Sequence, residues 1–306
     1  METFYNMFVY DNTFMDDEQI RLFIENSERN YEDQVLKIAN EVSVLDHIKF
    51  LTLAGPTCSG KTTTSYILEQ EFEKRGSTVK IISIDDFYRN RNDISDDETP
   101  DYESISAIDF PTFQACVDKI LKGETAMLPI YDFKHGERKG FLPYTPSEHE
   151  IVIFEGIQAI YPEILNILPK DVSKSIYISV SNDVCAYGTF FEKREIRFFR
   201  RLIRDYLFRS ATPERTLELW VGVVENEDKN IIPNEKNADY TINSFLPYEL
   251  GVIKPYVLNA VSYDFNNPHE KDLYDRIRQK FENIEEIPSS FVPSDSVFRE
   301  FIGKES

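Results

Sequence analysis

Residues 55–62 read Gly-Pro-Thr-Cys-Ser-Gly-Lys-Thr and fit the pattern GxxxxGK[ST]. An apolar run, Ile48–Ala54, precedes them, and a helical pattern, Lys61–Arg75, follows and stops at Gly76. A strand, a tight loop and a helix in that order are the context such a loop requires. Its glycines let the backbone wrap around phosphate oxygens with the N–H groups pointing inward. The positive end of the helix dipole favours the same anion. Lys61 reaches the β- and γ-phosphates, and the Thr62 hydroxyl can ligate Mg²⁺, which keeps several waters and takes few protein ligands. Gly55, Pro56, Thr57, Cys58, Ser59, Gly60, Lys61, Thr62 and Thr63 are therefore the candidate nucleotide-binding set. Cys58 is read as contributing a backbone N–H rather than a reactive thiol.

The rest of the chain supplies what this unit needs around it. Short apolar runs at Val79–Ile84, Ile151–Phe154 and Ile176–Val180 read as buried strands, and Ala238–Asn243 as a last one. Between them Phe113–Leu121, Lys193–Phe208, Leu246–Val261 and Asp272–Phe281 are helical in pattern. Such alternation predicts an α/β fold, a mainly parallel sheet covered by helices on both faces. Residues 89–109 and 131–150, polar and rich in Asp, Pro and Gly, are expected to be loops over the strand ends. Residues 1–46 form an acidic extension: Phe4–Tyr10 reads as a short strand and Asp16–Leu45 as one or two helices, with Ile20, Phe23 and Ile24 on one face. The expected division is an extension at 1–46, the main domain at 47–285 and a loosely held tail at 286–306, which Phe291, Phe298 and Phe301 could dock.

Two strands end in acids. Val79–Ile84 runs into Asp85-Asp86-Phe87-Tyr88, and Ile151–Phe154 into Glu155-Gly156. Ligands of open α/β sheets sit beyond the carboxyl ends of the strands, so both clusters should face the phosphate loop. One acid would hold Mg²⁺ and another would accept a proton from an attacking hydroxyl; spacing alone does not divide the roles. A third cluster is basic. Arg194, Arg197, Arg201 and Arg204 share one helical face, and with Arg200, Arg209 and Arg215 they place seven arginines within 22 residues. Arginine suits bidentate phosphate contacts, and a mobile helix carrying these residues would act as a lid over the site.

Composition narrows the partners. The chain has 306 residues, with 34 Lys plus Arg against 54 Asp plus Glu, a formal net charge of −20. A protein that coats nucleic acid or an anionic membrane needs the opposite sign, so neither is expected as a partner. The three cysteines, at 58, 116 and 185, form no CxxC pair and no metal-ligand spacing, which fits a reducing compartment. With no basic leader and no apolar run near the ~20 residues that span a bilayer, a cytoplasmic protein is expected. An assembly of identical copies remains open.

Taken together, the segments AGPTCSGKTT, ISIDDFYRNR, DYESISAIDF, LPIYDFKHGERKG, IVIFEGIQAIYP, RFFRRLIRDYLFRSATPERTLELW and NADYTINSFLPYELGVIKPY resemble, in order, the uridine kinase and phosphoribulokinase family of P-loop kinases, over roughly residues 48–262. The resemblance implies a three-layer α/β/α P-loop fold with an Arg-rich helical lid and ATP-dependent, Mg²⁺-dependent phosphorylation of a nucleoside, uridine above all and cytidine beside it. It implies roles for single residues as well. Asp85 resembles the base beside the substrate hydroxyl, with Asp86 next to it, and Glu155 the Mg²⁺ ligand that works with Thr62. Tyr88 resembles an aromatic contact to the nucleoside and Glu103 an acid on the ribose hydroxyls. Tyr131, Phe133 and Arg138 fall in the segment that frames the base. Arg197, Arg201 and Arg204 match the lid, Arg204 among the catalytic set with Lys61. The DFKxGxR segment is the bacterial form, and it moves the one nearby His, His135, by one place from the base-reading His of animal enzymes. Two other readings stand beside this one: a kinase of a sugar phosphate or pantothenate, which would call for extra cations near the acceptor, and a regulator that binds nucleotide without turning it over.

Overall fold

Five parallel strands organise the chain. In the computed structural model, which describes residues 7–10, 16–94, 104–261 and 268–303, their order is β10-β7-β2-β6-β3: β2 Phe50–Ala54, β3 Thr78–Ser83, β6 Glu150–Glu155, β7 Ser173–Ser179 and β10 Tyr240–Asn243. Two smaller sheets accompany them. β1 Met7–Tyr10 pairs with β8 Asp183–Ala186, which pairs in turn with β9 Thr189–Phe191, and β4 Ala126–Asp132 pairs with β5 Glu137–Tyr144. The α-helices are α1 Asp17–Ser43, α2 Lys61–Lys74, α3 Arg91–Ile94, α4 Phe110–Leu121, α5 Pro162–Leu165, α6 Lys193–Phe208, α7 Pro213–Asn226, α8 Glu249–Ala260, α9 Pro268–Phe281 and α10 Arg299–Ile302. This is the three-layer α/β/α arrangement that the sequence pattern predicts.

The strands are apolar on both sides because both sides are covered. All five residues of β2 are buried. Leu51 and Leu53 join Ile151, Ile153, Ile176 and Ile178 in one hydrophobic cluster with α1, α2, α6 and α8. Phe50 and Ala54 join Val152, Phe154 and Tyr177 in a second, with Phe113, Val117 and Ile120 of α4. The alternation along each strand thus sorts its residues into two cores, one per face.

Residues 16–43 make one helix rather than two. Asp16 caps it, accepting from the Gln19 N–H while the Gln19 side chain accepts from the Asp16 N–H. Ile24, Tyr31, Val35, Ile38, Ala39 and Val42 form its buried stripe, in the same cluster as the sheet. The boundary expected near residue 46 is not a break in packing.

Two expectations differ from the structure. The stretch 131–150 is largely a β-hairpin, not a loop: β4 and β5 pair antiparallel, with a register shift between Ile130 and Tyr131. Pro129, Gly140 and Pro143 hide its period-2 pattern, and such residues are tolerated because a two-stranded ribbon leaves edges free. The segment after α9 is not loosely held. Val292, Val297, Phe298, Phe301 and Ile302 are buried in the first cluster, with the Phe298 ring edge-on to Tyr248 at 5.9 Å. Arg299 donates to the carbonyls of Ser289, Val292, Pro293 and Gly303, which ties the segment into a compact knot.

Phe298→Ala is expected to cost about 3–5 kcal/mol of stability, read by urea denaturation. A loss within ~0.5 kcal/mol, as at an ordinary surface position, would mean that the segment does not share the core.

Candidate active site

The sheet order sets the site. β6 lies between β2 and β3, with Leu53 and Ser83 both opposite Glu155. The phosphate loop begins two residues past Leu53, and Asp85 stands two residues past Ser83. Loop, Glu155 and Asp85 therefore emerge side by side at the carboxyl edge.

The loop is held from behind. A Cβ at Gly55 would lie 2.1 Å from the Ile178 carbonyl oxygen, so only glycine lets β2 leave the sheet so close to β7. Gly60 has φ +90°, a left-handed turn that glycine adopts freely and that aims the first turn of α2 into the loop. Arg197 donates to the Thr57 carbonyl at 3.2 Å and Arg200 to the Cys58 carbonyl at 3.3 Å. Carbonyls drawn toward arginines turn away from the anion site and leave amides to line it. Glu227 grips Arg197 through two bonds of 2.5 and 2.6 Å. Glu249 grips Arg200 through bonds of 2.6 and 2.9 Å, and the Ser244 carbonyl accepts a further one. From α1, Tyr31 meets the Thr64 hydroxyl at 2.7 Å, and that hydroxyl donates to the Gly60 carbonyl. Since Thr64 has one proton to give, Tyr31 is the donor to it.

Here the structure corrects the sequence reading. Arg197 is not a phosphate-facing lid residue, because its guanidinium is buried and spent on Glu227 and the loop backbone. Nor does α6 stand off as a mobile flap: Ile196, Phe198, Phe199, Leu202 and Ile203 are core residues. The cations left with capacity surround Asp205. Arg201, Arg204 and Arg209 lie 3.3, 3.5 and 3.4 Å from this one buried carboxylate, so the group carries a surplus of positive charge. Arg204 lies one helical turn past Arg200, which holds the Cys58 carbonyl, and the Arg204 Nε is buried without a hydrogen-bond partner.

Lys61 bends over the loop and donates to the Gly55 and Pro56 carbonyls at 2.9 and 3.1 Å. It is also the cation near both acids. Burial pushes the Asp85 carboxyl up; the Tyr88 hydroxyl and Lys61 oppose this, and Asp86 adds to it. Burial likewise raises Glu155, opposed first by Lys61 and augmented by Asp85. Two acids that share one cation, one beside a hydroxyl donor, can divide proton acceptance from metal holding. The Thr62 side chain is exposed on the first turn of α2. Thr62 and Glu155 suit a Mg²⁺ ion that keeps most of its waters, and the loop amides with the unpartnered Ser59 hydroxyl suit a polyphosphate.

Tyr88 joins this edge to a second surface. Its hydroxyl donates to Asp85 Oδ1 at 3.0 Å and accepts from Gln158 Nε2 at 3.1 Å. Its ring stands edge-on to Tyr131 and Phe133 at 5.7 and 6.3 Å, and those two rings meet at 5.2 Å. The Phe133 side chain is 63% exposed. Asp86 fixes the hairpin by accepting from the Tyr131 N–H. Arg138 donates to Asp109 at 2.9 Å and to the Tyr88 carbonyl, so it braces the aromatic cluster. Glu103 lies outside the described residues. Sequence reasoning missed Gln158, Arg200 as a loop anchor and Tyr31; the signals were a Gln three residues past Glu155 and an aromatic on the buried stripe of α1.

A model of the phosphoribulokinase / uridine kinase family matches residues 50–247. The uridine kinases of Deinococcus deserti and Clostridium novyi are each 28% identical over 194 residues, 62% of this chain and 84% of theirs. A solved D-glycerate 3-kinase of Cryptococcus neoformans overlaps 70% of this chain and 87% of its own at 16% identity, with a TM-score of 0.42.

The raised Asp85 carboxyl gives a signed test. Folding disfavours its ionised form, so stability is fullest below its unfolded pKa and falls as pH rises through the folded one. Asp85→Asn should melt above the wild type at pH ~8, and the gap should shrink toward pH ~5. A pH-independent gap, or a less stable variant throughout, would remove burial as the cause.

Proposed function

This chain belongs to the phosphoribulokinase / uridine kinase family, and from that membership we propose that it transfers the γ-phosphoryl group of ATP to the 5′-hydroxyl of a nucleoside, uridine first and cytidine second. The observation that carries the reading is Tyr88. One residue hydrogen-bonds the candidate base through its hydroxyl and contributes its ring to an aromatic cluster with Tyr131 and Phe133. A flat base resting on that cluster would carry its sugar hydroxyl toward Asp85. The names of the relatives in Deinococcus deserti and Clostridium novyi support the same acceptor class.

The steps follow from the residues. Asp85 accepts the proton of the 5′-hydroxyl, helped by a carboxyl whose affinity for protons burial has raised. The freed oxygen bonds to the γ-phosphorus as the bond from that phosphorus to the β-bridging oxygen breaks, and ADP leaves. Little covalent work falls to the protein, so its task is positioning and charge. Lys61 and the loop amides hold the β- and γ-oxygens, and Arg201 and Arg204 meet the charge that develops on the transferred group. Mg²⁺, held by Thr62 and Glu155, would draw negative charge from the phosphate oxygens. The Arg138 charge is balanced by Asp109, and its two terminal nitrogens are taken by Asp109 and the Tyr88 carbonyl, which favours a neutral acceptor over a phosphorylated one.

ADP release should be followed with ATP, Mg²⁺ and a panel of uridine, cytidine, adenosine, guanosine, ribulose 5-phosphate and pantothenate, with products identified by mass. The pyrimidine nucleosides should give 5′-monophosphates. Turnover of a sugar phosphate or pantothenate alone would replace this reading, and no turnover with bound ATP would favour a regulator. Asp85→Asn should lower kcat by about 10²–10⁴ with ATP affinity nearly unchanged. Phe133→Ala should raise the nucleoside KM by about tenfold, the usual scale for one lost base–aromatic contact, and leave the KM for ATP where it was.

A further inference from the structure

The family match ends at residue 247, yet a later segment reaches the phosphate loop. Val297 lies over Gly60: a Cβ built on that glycine would come within 2.7 Å of Val297 Cγ2. The Phe301 ring lies 4.9 Å from the guanidinium carbon of Arg200, the residue that holds the Cys58 carbonyl. Between these two anchors Glu300 points at the first turn of α2, where its Oε2 accepts from the Thr63 hydroxyl at 3.0 Å. Its charge also reaches Arg204 and Glu155. The residue is held on a segment fixed by Val297, Phe298, Phe301 and Ile302, all buried.

A carboxylate in this place has the wrong sign for the ligand. The first turn of a helix behind a phosphate loop gathers N–H and hydroxyl donors for an anion. Glu300 occupies one of those hydroxyls and sets a fixed negative charge beside the others. Arg204, which has surplus capacity for an anion, lies within its field. We propose that Glu300 is an internal competitor of the nucleotide phosphates for Thr63, and that the segment 293–303 is an autoinhibitory strap that keeps nucleotide affinity low while it is seated. Displacing the Glu300 side chain frees the Thr63 proton for a phosphate oxygen and removes a repulsive charge. The proposal rests on the reading that the loop binds nucleotide phosphates; it is independent of which acceptor is phosphorylated.

Calorimetric titration of the full chain with Mg²⁺ and ADP tests it. Glu300→Gln keeps the shape and removes the charge, and it should bind ADP about tenfold more tightly than the wild type, on the scale of one hydrogen bond to a charged group. The gap should close in about 1 M salt, where the screening length falls to about 3 Å. Glu286→Gln makes the same change in net charge at an exposed site and should bind as the wild type does. Glu300→Asp, whose shorter arm gives up Thr63 but keeps the charge, should fall between and serves if the Gln variant folds poorly. Equal or weaker ADP binding by the folded Gln or Asp variant overturns the strap and makes Glu300 a supporting residue. If neither wild type nor variant binds ADP although both fold, the phosphate-loop reading fails and the strap with it.

Discussion

A phosphate loop must show an anion its amides and hide its carbonyls, and in this chain that requirement is met by two buried arginines. Arg200 is fully buried, and a charge so placed is costly unless every donor is used. Glu249, the Ser244 carbonyl and hydroxyl and the Cys58 carbonyl use them. These contacts bind α6, the start of α8, the turn after β10 and the loop into one unit. Arg197 repeats the arrangement with Glu227 and Thr57. Such pairs add little net stability compared with apolar packing. What they supply here is direction: they state which way the loop backbone faces. A helix whose arginines suggest phosphate binding in sequence thus divides its labour, with one set holding the loop from behind and the other gathered around Asp205.

The sequence was legible where one local pattern had one physical meaning. Val79–Ile84 and Ile151–Phe154 read as strands because continuous β-branched and apolar runs need cover on both faces, and their acidic ends fell at the site because parallel strands end on one edge. Lys193–Phe208 was bounded correctly by its helical period. The hairpin at 126–144 was not legible, since prolines and glycine obscured its alternation and its stability comes from pairing between distant residues. Arginine orientation was not legible either: Arg197 and Arg201 look alike in a 3–4 spacing, and only the positions of Glu227 and Asp205 decide which is spent. The segment after α9 was half legible: its phenylalanines marked it as able to dock, but Phe298 and Phe301 find their partners more than forty residues away in Tyr248 and Arg200.

The acids at the carboxyl edge show what the site gives up for its chemistry. Asp85 and Glu155 are half-buried near each other with Lys61 as the cation near both, an arrangement that opposes folding of the ionised forms. It also means that a proton offered at this edge meets a carboxylate already inclined to take it. Tyr88 tempers this by donating to Asp85, and Gln158 steadies Tyr88 in turn. Poise for proton transfer and loss of stability are here the same physical fact.

The register shift between Ile130 and Tyr131 carries a consequence for how such a chain can change. Ile130 stands opposite Gly140 but Tyr131 opposite Arg138, so Lys139 is the extra residue. Among the described residues the hairpin pairs its backbone within itself and not with the five-stranded sheet, which it meets through the Tyr144 hydroxyl donating to Glu150, and Tyr131 belongs to the core cluster on the face away from α2 and α6. Inserting or deleting a single residue in β5 would reverse which side chains face the aromatic surface and leave the phosphate half of the molecule where it is. The aromatic surface is thereby mounted on a ribbon of its own, which a small insertion can turn over while the phosphate loop keeps its place.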